Sequence, residues 1–182
     1  MKNVDFSKYD NSFYKPGSAV KRGLWYLVSL VFFQSYIFPF SGLKRSLLRL
    51  FGAEIGRGVV IKPSVLIKYP WFLIIGENSW IGEKAWIDNL AEVSIGANVS
   101  ISQGAMLLTG NHNYKKEAFD LEVYPIVIED GVWIGAKSVV CPGVVCLSHA
   151  VLGVGSIATK NLESFTIYSG NPAEAIRKRT IE

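Results

Sequence analysis

A chain of 182 residues that is 49% hydrophobic holds enough apolar material for one substantial core. Its 19 basic and 15 acidic residues give a formal charge of +4, and the basic ones gather in three short groups, Lys15 to Arg22, Lys44 to Arg49 and Arg177 to Arg179, instead of one long stripe, which argues against nucleic acid as a partner. The two cysteines, Cys141 and Cys146, sit in apolar sequence and fit buried thiols in a reducing, cytoplasmic setting better than a disulfide framework.

Residues 1–52 differ from the rest. A polar, aromatic start up to Gly17 is followed by "LWYLVSLVFFQSYIFPF", Leu24 to Phe40, which is apolar almost all round. Seventeen polar-rich residues before it and Pro39-Phe40 at its end argue against a cleaved signal. Seventeen residues that include Gln34 and two serines also fall short of the about 20 that a spanning helix needs. The first expectation is a helix packed on protein, for instance on a neighbouring subunit. The second is a helix lying in the membrane interface with Lys21 and Arg22 beside it, giving a peripheral contact at the inner face of the membrane. The next stretch, "GLKRSLLRLFGA", places Leu43, Leu47, Leu48 and Phe51 at helical spacing and predicts a short amphipathic helix ending at Gly52.

From Ile55 the period becomes six. Aliphatic residues lead each hexad at Ile55, Ile61, Ile67, Ile75, Ile81, Ile87, Ile95, Ile101, Leu107, Ile128, Ile134, Val140, Cys146, Leu152 and Ala158, and a small or branched residue stands fifth. Neither a helix nor a hairpin alternation has this period. Short strands joined by corners do, with three sides to a coil, which predicts an all-β solenoid, a left-handed parallel β-helix, over residues 53–168. The register slips within Lys68 to Ile74 and within Asp88 to Ser94, and it is lost in an inserted loop, residues 108–127. Such interruptions are where a solenoid can place function.

That loop reads "TGNHNYKKEAFDLEVYPIV" after Leu108 and holds His112, one of two histidines. An imidazole can take a proton from a hydroxyl or an amine if a second group fixes its tautomer. Asp88, Glu117, Asp120 or a backbone carbonyl could do so. Two histidines, His112 and His149, are too few for a three-histidine zinc site, so no metal is expected. His149 falls on a hexad corner and is expected to be exposed and inert. No glycine-rich phosphate loop precedes a helix, which leaves nucleoside-triphosphate chemistry without a site.

Four segments in order, "ISQGAMLLTGNHNY", "PIVIEDGVWIGAKSVVCPGV", "VLGVGSIATKNL" and "YSGNPAEAIRKR", resemble the hexapeptide-repeat acyltransferases. Within them the chain is similar to the sugar O-acetyltransferases of colanic-acid biosynthesis and their maltose and galactoside relatives, over about two-thirds of its length. The resemblance implies an acetyl-CoA-dependent acetyltransferase acting on a sugar hydroxyl in surface-glycan biosynthesis, by direct attack with no covalent enzyme intermediate. It implies His112 as general base and the backbone N–H of Ala136 as donor to the oxyanion. It places the pantetheine arm of acetyl-CoA along Trp133, Gly135, Ala136, Val154, Thr159 and Lys160, and its phosphates near Lys160, Arg177, Lys178 and Arg179. It also implies a homotrimer with sites between subunits. Asp88, Asn89 and Tyr114 are candidates for the saccharide acceptor, which could be lipid-linked, and Phe119 could stack on a sugar face. Asp88-Asn89 could equally be a corner turn. For residues 169–182 the expectation is a turn and a short helix, with Asn171 as cap and Pro172 in the first turn. Two rivals stay open: an N-acetyltransferase of a nucleotide-linked amino sugar or an antibiotic, and a non-catalytic β-helix scaffold.

Overall fold

The computed structural model describes residues 3–182; Met1 and Lys2 lie outside them. Residues 3–17 run as an irregular strap with one 3-10 turn, Phe6–Lys8. Helix α1, Ala19–Val28, starts where the Ser18 side chain accepts from the Lys21 N–H, and it continues as a π-helical turn, Ser29–Phe33. The helical stretch therefore begins earlier and ends earlier than the apolar run suggests. No helix among the described residues is long and apolar enough to cross a membrane. Helix α2, Ser41–Leu50, is the expected amphipathic one, with Leu48 buried and Leu47 and Phe51 packed on the core, but Leu43 is exposed and Lys44 is buried in its place.

The solenoid follows. Its first coil is β1 (Glu54–Ile55), β2 (Val60–Ile61) and β3 (Leu66–Ile67); the second is β4 (Leu73–Ile75), β5 (Trp80–Ile81) and β6 (Trp86–Asp88). The third is β7 (Val93–Ile95), β8 (Ser100–Ile101) and β9 (Met106–Leu108), after which β10 (Gly110–His112) and β11 (Leu121–Val123) leave the wall as an antiparallel hairpin. The fourth is β12 (Ile126–Ile128), β13 (Trp133–Ile134) and β14 (Val139–Val140), and the fifth β15 (Val145–Cys146), β16 (Val151–Leu152) and β17 (Ile157–Ala158). A bridge from Cys146 to Leu162 and strand β18 (Thr166–Gly170) begin a sixth. Corresponding strands stack in parallel into three faces, and every aliphatic lead from Ile55 to Ala158 points into the shared core. This is the parallel β-helix that the hexads predict.

Coil length explains the slips. Ile128 pairs with Cys146, eighteen residues on, which is three plain hexads. Ile55 pairs with Ile75 and Ile75 with Ile95, twenty residues on, so each early coil carries two extra residues at one corner. The first extra corner contains the 3-10 turn Pro70–Phe72, and in the second Ala91, a fifth-position residue, is only half-buried. Corners impose one demand that the period of six hides. At the plain corners the residue three places after the lead turns the chain with a positive φ, as at Gly58, Asn78, Asn98, Gly104, Gly131, Lys137, Gly143 and His149, whereas the corners that carry extra residues or the inserted hairpin do not. Glycine and asparagine take that conformation most readily, whereas most L residues resist it by roughly 1–2 kcal/mol.

The two ends of the stack are closed differently. Below the first coil, backbone carbonyls with no coil beneath them accept from α2: Ile61 from Ser41, Lys62 from Lys44, Val59 from Arg45 and Ile55 from Arg49. The Trp25 indole donates to the Ile67 carbonyl at 2.9 Å. At the other end β18 pairs antiparallel with β19, Ala173–Lys178. The expected C-terminal helix is therefore wrong. Asn171 and Pro172 form the turn of a hairpin, and the boundary at residue 169 falls inside β18. The top coil needs a partner for the open edge of β18, and a strand supplies backbone groups along that edge where a helix cannot.

Candidate active site

His112 ends β10, opposite Leu121 of β11. The hairpin is anchored in the wall by Thr109, which is fully buried: its hydroxyl donates to the Asp88 carbonyl at 2.8 Å and accepts from the Ala91 N–H at 3.0 Å. Gly110 then passes so close to Leu90 that a Cβ would meet its Cδ1 at 2.5 Å. At the tip, the Asn113 N–H donates to the Asp120 carbonyl, and the Asn113 amide donates to Glu122.

The imidazole is held on two sides. Its ring stacks on Phe119, with centroids 4.5 Å apart and planes 11° from parallel, and its Nδ1 lies 2.9 Å from the Phe119 carbonyl oxygen. A carbonyl oxygen only accepts. Nδ1 must therefore carry the proton, which leaves the lone pair on Nε2 for chemistry. Phe119 itself has a φ of +52°, a strained conformation for a bulky residue, and it aims that carbonyl back at the ring. Of the sequence candidates for orienting His112, the backbone carbonyl is the one in place. Glu117 pairs with Lys8, Asp120 with Lys116 at 3.0 Å, and Asp88 with Lys68 at 2.9 Å.

The N-terminal strap completes this region, a role that composition alone did not reveal. The Asp5 N–H donates to the Glu117 carbonyl, the Phe6 ring meets Phe119 edge-on at 5.5 Å, and Tyr9 stands 6.0 Å from the His112 ring. Phe6, Tyr9, His112 and Phe119 line an open cavity of about 400 Å³. The Tyr14 hydroxyl donates to the Leu90 carbonyl at 2.7 Å, and burial pushes its ionisation up, so it stays a neutral donor. The regular spacing of Phe6, Tyr9 and Phe13–Tyr14 in a polar stretch was the available signal.

The remaining candidates separate. Asn89 is fully buried, and its amide is spent on the backbone: Oδ1 accepts from Lys68 and Tyr69, and Nδ2 donates to the Tyr69 and Phe72 carbonyls. It ties the two extra-residue corners together and has nothing left for an acceptor, so the corner reading replaces the substrate one. Tyr114 is exposed beside the hairpin tip, next to His112 in a small cleft with Asn111 and Glu122. Phe119 is committed to the imidazole instead of to a sugar.

Trp133, Gly135, Ala136 and Val154 lie on or just past the second face, whereas the His112 hairpin leaves the end of β9, a strand of the third. The two groups thus start from different faces of the chain. Trp133 is half-exposed and its indole donates to Ser102 one coil below at 2.9 Å. Trp80 stands on the same face in register with Ser100 and Trp133, above a cleft of about 330 Å³ shared with Ser102 and Gln103. Sequence reading passed over Trp80, although it precedes its hexad lead just as Trp133 does. The Ala136 carbonyl accepts from Gly155, while its N–H has no backbone acceptor among the described residues. Gly135 has a sufficient reason in the wall, because a Cβ there would meet the Leu152 carbonyl oxygen at 2.7 Å. Val154, Thr159 and Lys160 are exposed at successive corners. In the tail, Arg179 donates to the Gly131 and His149 carbonyls and Lys178 to Thr166, so Arg177 is the exposed cation left for a phosphate. His149 is half-buried, its ring tilted on Phe165 at 4.6 Å, which makes it a corner residue and corrects the expectation of an exposed one.

Burial pushes the Cys146 thiol up to about 12 and raises that of Cys141 as well, so both stay protonated near neutrality and neither can act as a thiolate nucleophile. Among the described residues no cluster of three His, Cys, Asp or Glu could hold a metal ion.

A parallel β-helix of hexads is the fold of a class of acyltransferases, and comparison with known proteins places the chain in that class. The chain is 39% identical over 166 residues, 91% of each chain, to the colanic acid biosynthesis acetyltransferase WcaF of Escherichia coli (strain K12). It is 31% identical to the galactoside O-acetyltransferase of the same organism over 138 residues, 74% of this chain and 68% of that one. Its fold superposes on a galactoside acetyltransferase in complex with coenzyme A with a TM-score of 0.79 at 29% identity, covering 88% of this chain and 82% of the other. A hexapeptide-repeat acetyltransferase of Vibrio cholerae O1 biovar eltor, complexed with acetyl-CoA, matches with a TM-score of 0.82 at 24% identity, covering 92% and 93%. No family model matches the chain. The chain belongs to the hexapeptide-repeat acetyltransferases, and it is an acetyltransferase whose acyl donor is acetyl-CoA.

Proposed function

We propose that this enzyme transfers the acetyl group to a sugar hydroxyl in the assembly of a surface glycan, with His112 as general base. The observation that carries the reading is the Phe119 carbonyl on Nδ1, which leaves Nε2 as a proton acceptor at the rim of an open cavity. Acetyl-CoA supplies the thioester carbonyl. Nε2 takes the proton as the acceptor oxygen bonds to that carbon, the uncommitted Ala136 N–H donates to the oxygen that becomes negative, and the carbon–sulfur bond breaks as the proton passes to the departing thiolate. Cys141 and Cys146, held as neutral thiols, take no part.

The reading requires more than one copy. The His112 hairpin and the Trp133–Ala136 corner stand on different faces of a chain, so a site holding both is built between neighbours, which fits a trimer with three equivalent clefts. Arg177 and Lys160, exposed and without a carboxylate partner among the described residues, suit the phosphates of the donor. The names of the relatives, a colanic acid biosynthesis acetyltransferase and a galactoside O-acetyltransferase, support a saccharide hydroxyl as acceptor. The test is incubation with acetyl-CoA and a panel of hydroxyl-bearing glycans, lipid-linked saccharides and nucleotide amino sugars, with products identified by mass spectrometry. An ester that disappears with His112→Ala is expected; an amide on an amino sugar would overturn the hydroxyl assignment.

A further inference from the structure

Helix α1 with its π-helical turn has two apolar faces, and only one of them is used. Trp25, Ser29 and Phe33 are buried against the first coil and α2. The opposite stripe, Val20, Leu24, Leu27 and Val31, has the spacing of one helix face and is 72%, 54%, 58% and 46% exposed. Tyr26 and Leu30 flank it, and beyond the helix Ile37 and Phe40 are exposed at 77% and 67%. A helix that packs one face on a core ordinarily turns polar residues outward. A contiguous apolar surface of this kind marks a docking surface.

The charge around it selects the occupant. From residue 11 to residue 53 the chain contains no aspartate or glutamate but has Lys15, Lys21, Arg22, Lys44, Arg45 and Arg49. None of these six has a carboxylate within ion-pair distance among the described residues. Lys44 is fully buried and, with Arg45 and Arg49, turns its donors to wall carbonyls, so the cations that stand at the surface beside α1 are Lys15, Arg22 and the half-buried Lys21. A second copy of the same segment would set like charges against one another, whereas an anionic lipid surface complements both the charge and the apolar stripe. The helical stretch, Ala19–Phe33, is about 22 Å long at 1.5 Å per residue, too short to cross the roughly 30 Å hydrocarbon core.

We propose that α1 docks the enzyme on anionic bilayers, lying in the interface plane with Val20, Leu24, Leu27 and Val31 among the acyl chains and the first coil of the solenoid nearest the membrane. The proposal stands apart from the acceptor assignment, since it concerns a surface on the far side of α1 from the wall. The test is co-sedimentation of the full-length assembled protein with vesicles of phosphatidylcholine and phosphatidylglycerol in equal parts, and with phosphatidylcholine alone. Binding to the anionic vesicles is expected to exceed binding to the neutral ones by ~10-fold or more at low salt and to weaken as salt is added. Leu24→Gln with Leu27→Gln is expected to weaken anionic-vesicle binding by ~10-fold or more, with the thermal melt and oligomer size unchanged because both side chains already face solvent. Wild-type protein left in the supernatant, or a double variant that binds as the wild type does, overturns the proposal. So does a double variant of smaller oligomer size, which assigns the stripe to a contact between subunits.

Discussion

The β-helix wall and the His112 hairpin are stabilised in contrasting ways. In the wall every inward position is repeated coil after coil, so that Ile101 rests between Ile81 and Ile134, each doing the same work as its neighbour. In the hairpin and its strap each contact occurs once: one carbonyl on His112, one phenylalanine against it, one ion pair from Lys8 to Glu117. Repetition makes the wall stable and chemically uniform, and the single contacts make the hairpin able to hold one side chain in one useful state. The difference teaches that stability and activity should respond to separate substitutions.

The largest separation is expected at His112. His112→Ala should lower kcat by at least ~100-fold while moving the thermal midpoint little, because the ring is only half-buried and the wall does not rest on it. Steady-state kinetics beside a thermal melt check both. The converse is Ile61→Ala, which opens a cavity at a fully buried lead position of the first coil and should cost about 2–5 kcal/mol in a denaturant titration, while the folded fraction keeps its turnover.

The wall also has a pH signature of its own. The Cys146 thiol has a folded value near 12, above the ordinary unfolded value of ~8.5, so its contribution is complete below that value and is lost as pH rises toward 12. Stability should therefore fall above about pH 8.5, by an amount on the order of 1–2 kcal/mol at about pH 10, and Cys146→Ala should flatten that slope in urea titrations across the range.

A smaller effect tests the positioning of the base. Phe119→Gly keeps the left-handed backbone at no steric cost but removes the stacked ring, and should lower kcat by about tenfold with little change in the KM for acetyl-CoA. An unchanged kcat would show that the carbonyl alone orients the imidazole. Lys8→Ala should matter least. The pair is partly exposed, so a loss of at most about 1 kcal/mol, shrinking further with added salt, is expected from melts.

The wall was almost fully legible in the sequence because its rule is periodic: an aliphatic residue every six places identifies the inward side of every strand from Ile55 to Ala158. His112 was legible through the loss of that period and through the resemblance. What was hidden is everything that depends on distance along the chain. The strap reaches the hairpin across more than a hundred residues, Asp5 to Glu117, and no local pattern announces it. Asn89 looked like a polar side chain available at a corner, but four backbone partners from the coil below consume it. The tail "NPAEAIRKR" has the residues of a capped helix, and the open edge of β18 overrides that local preference.

The helix α2 that fits under the first coil has a consequence for the lifetime of the protein in a crowded cell. A stack of parallel coils ends in exposed rows of strand edges, and such edges can template the addition of further chains into filaments. Ser41, Lys44, Arg45 and Arg49 occupy the bottom row's carbonyls with side chains, so no incoming strand can pair there. Basic residues on a short helix thus act as a chain terminator at this end of the stack, stopping assembly in one dimension where the coils begin.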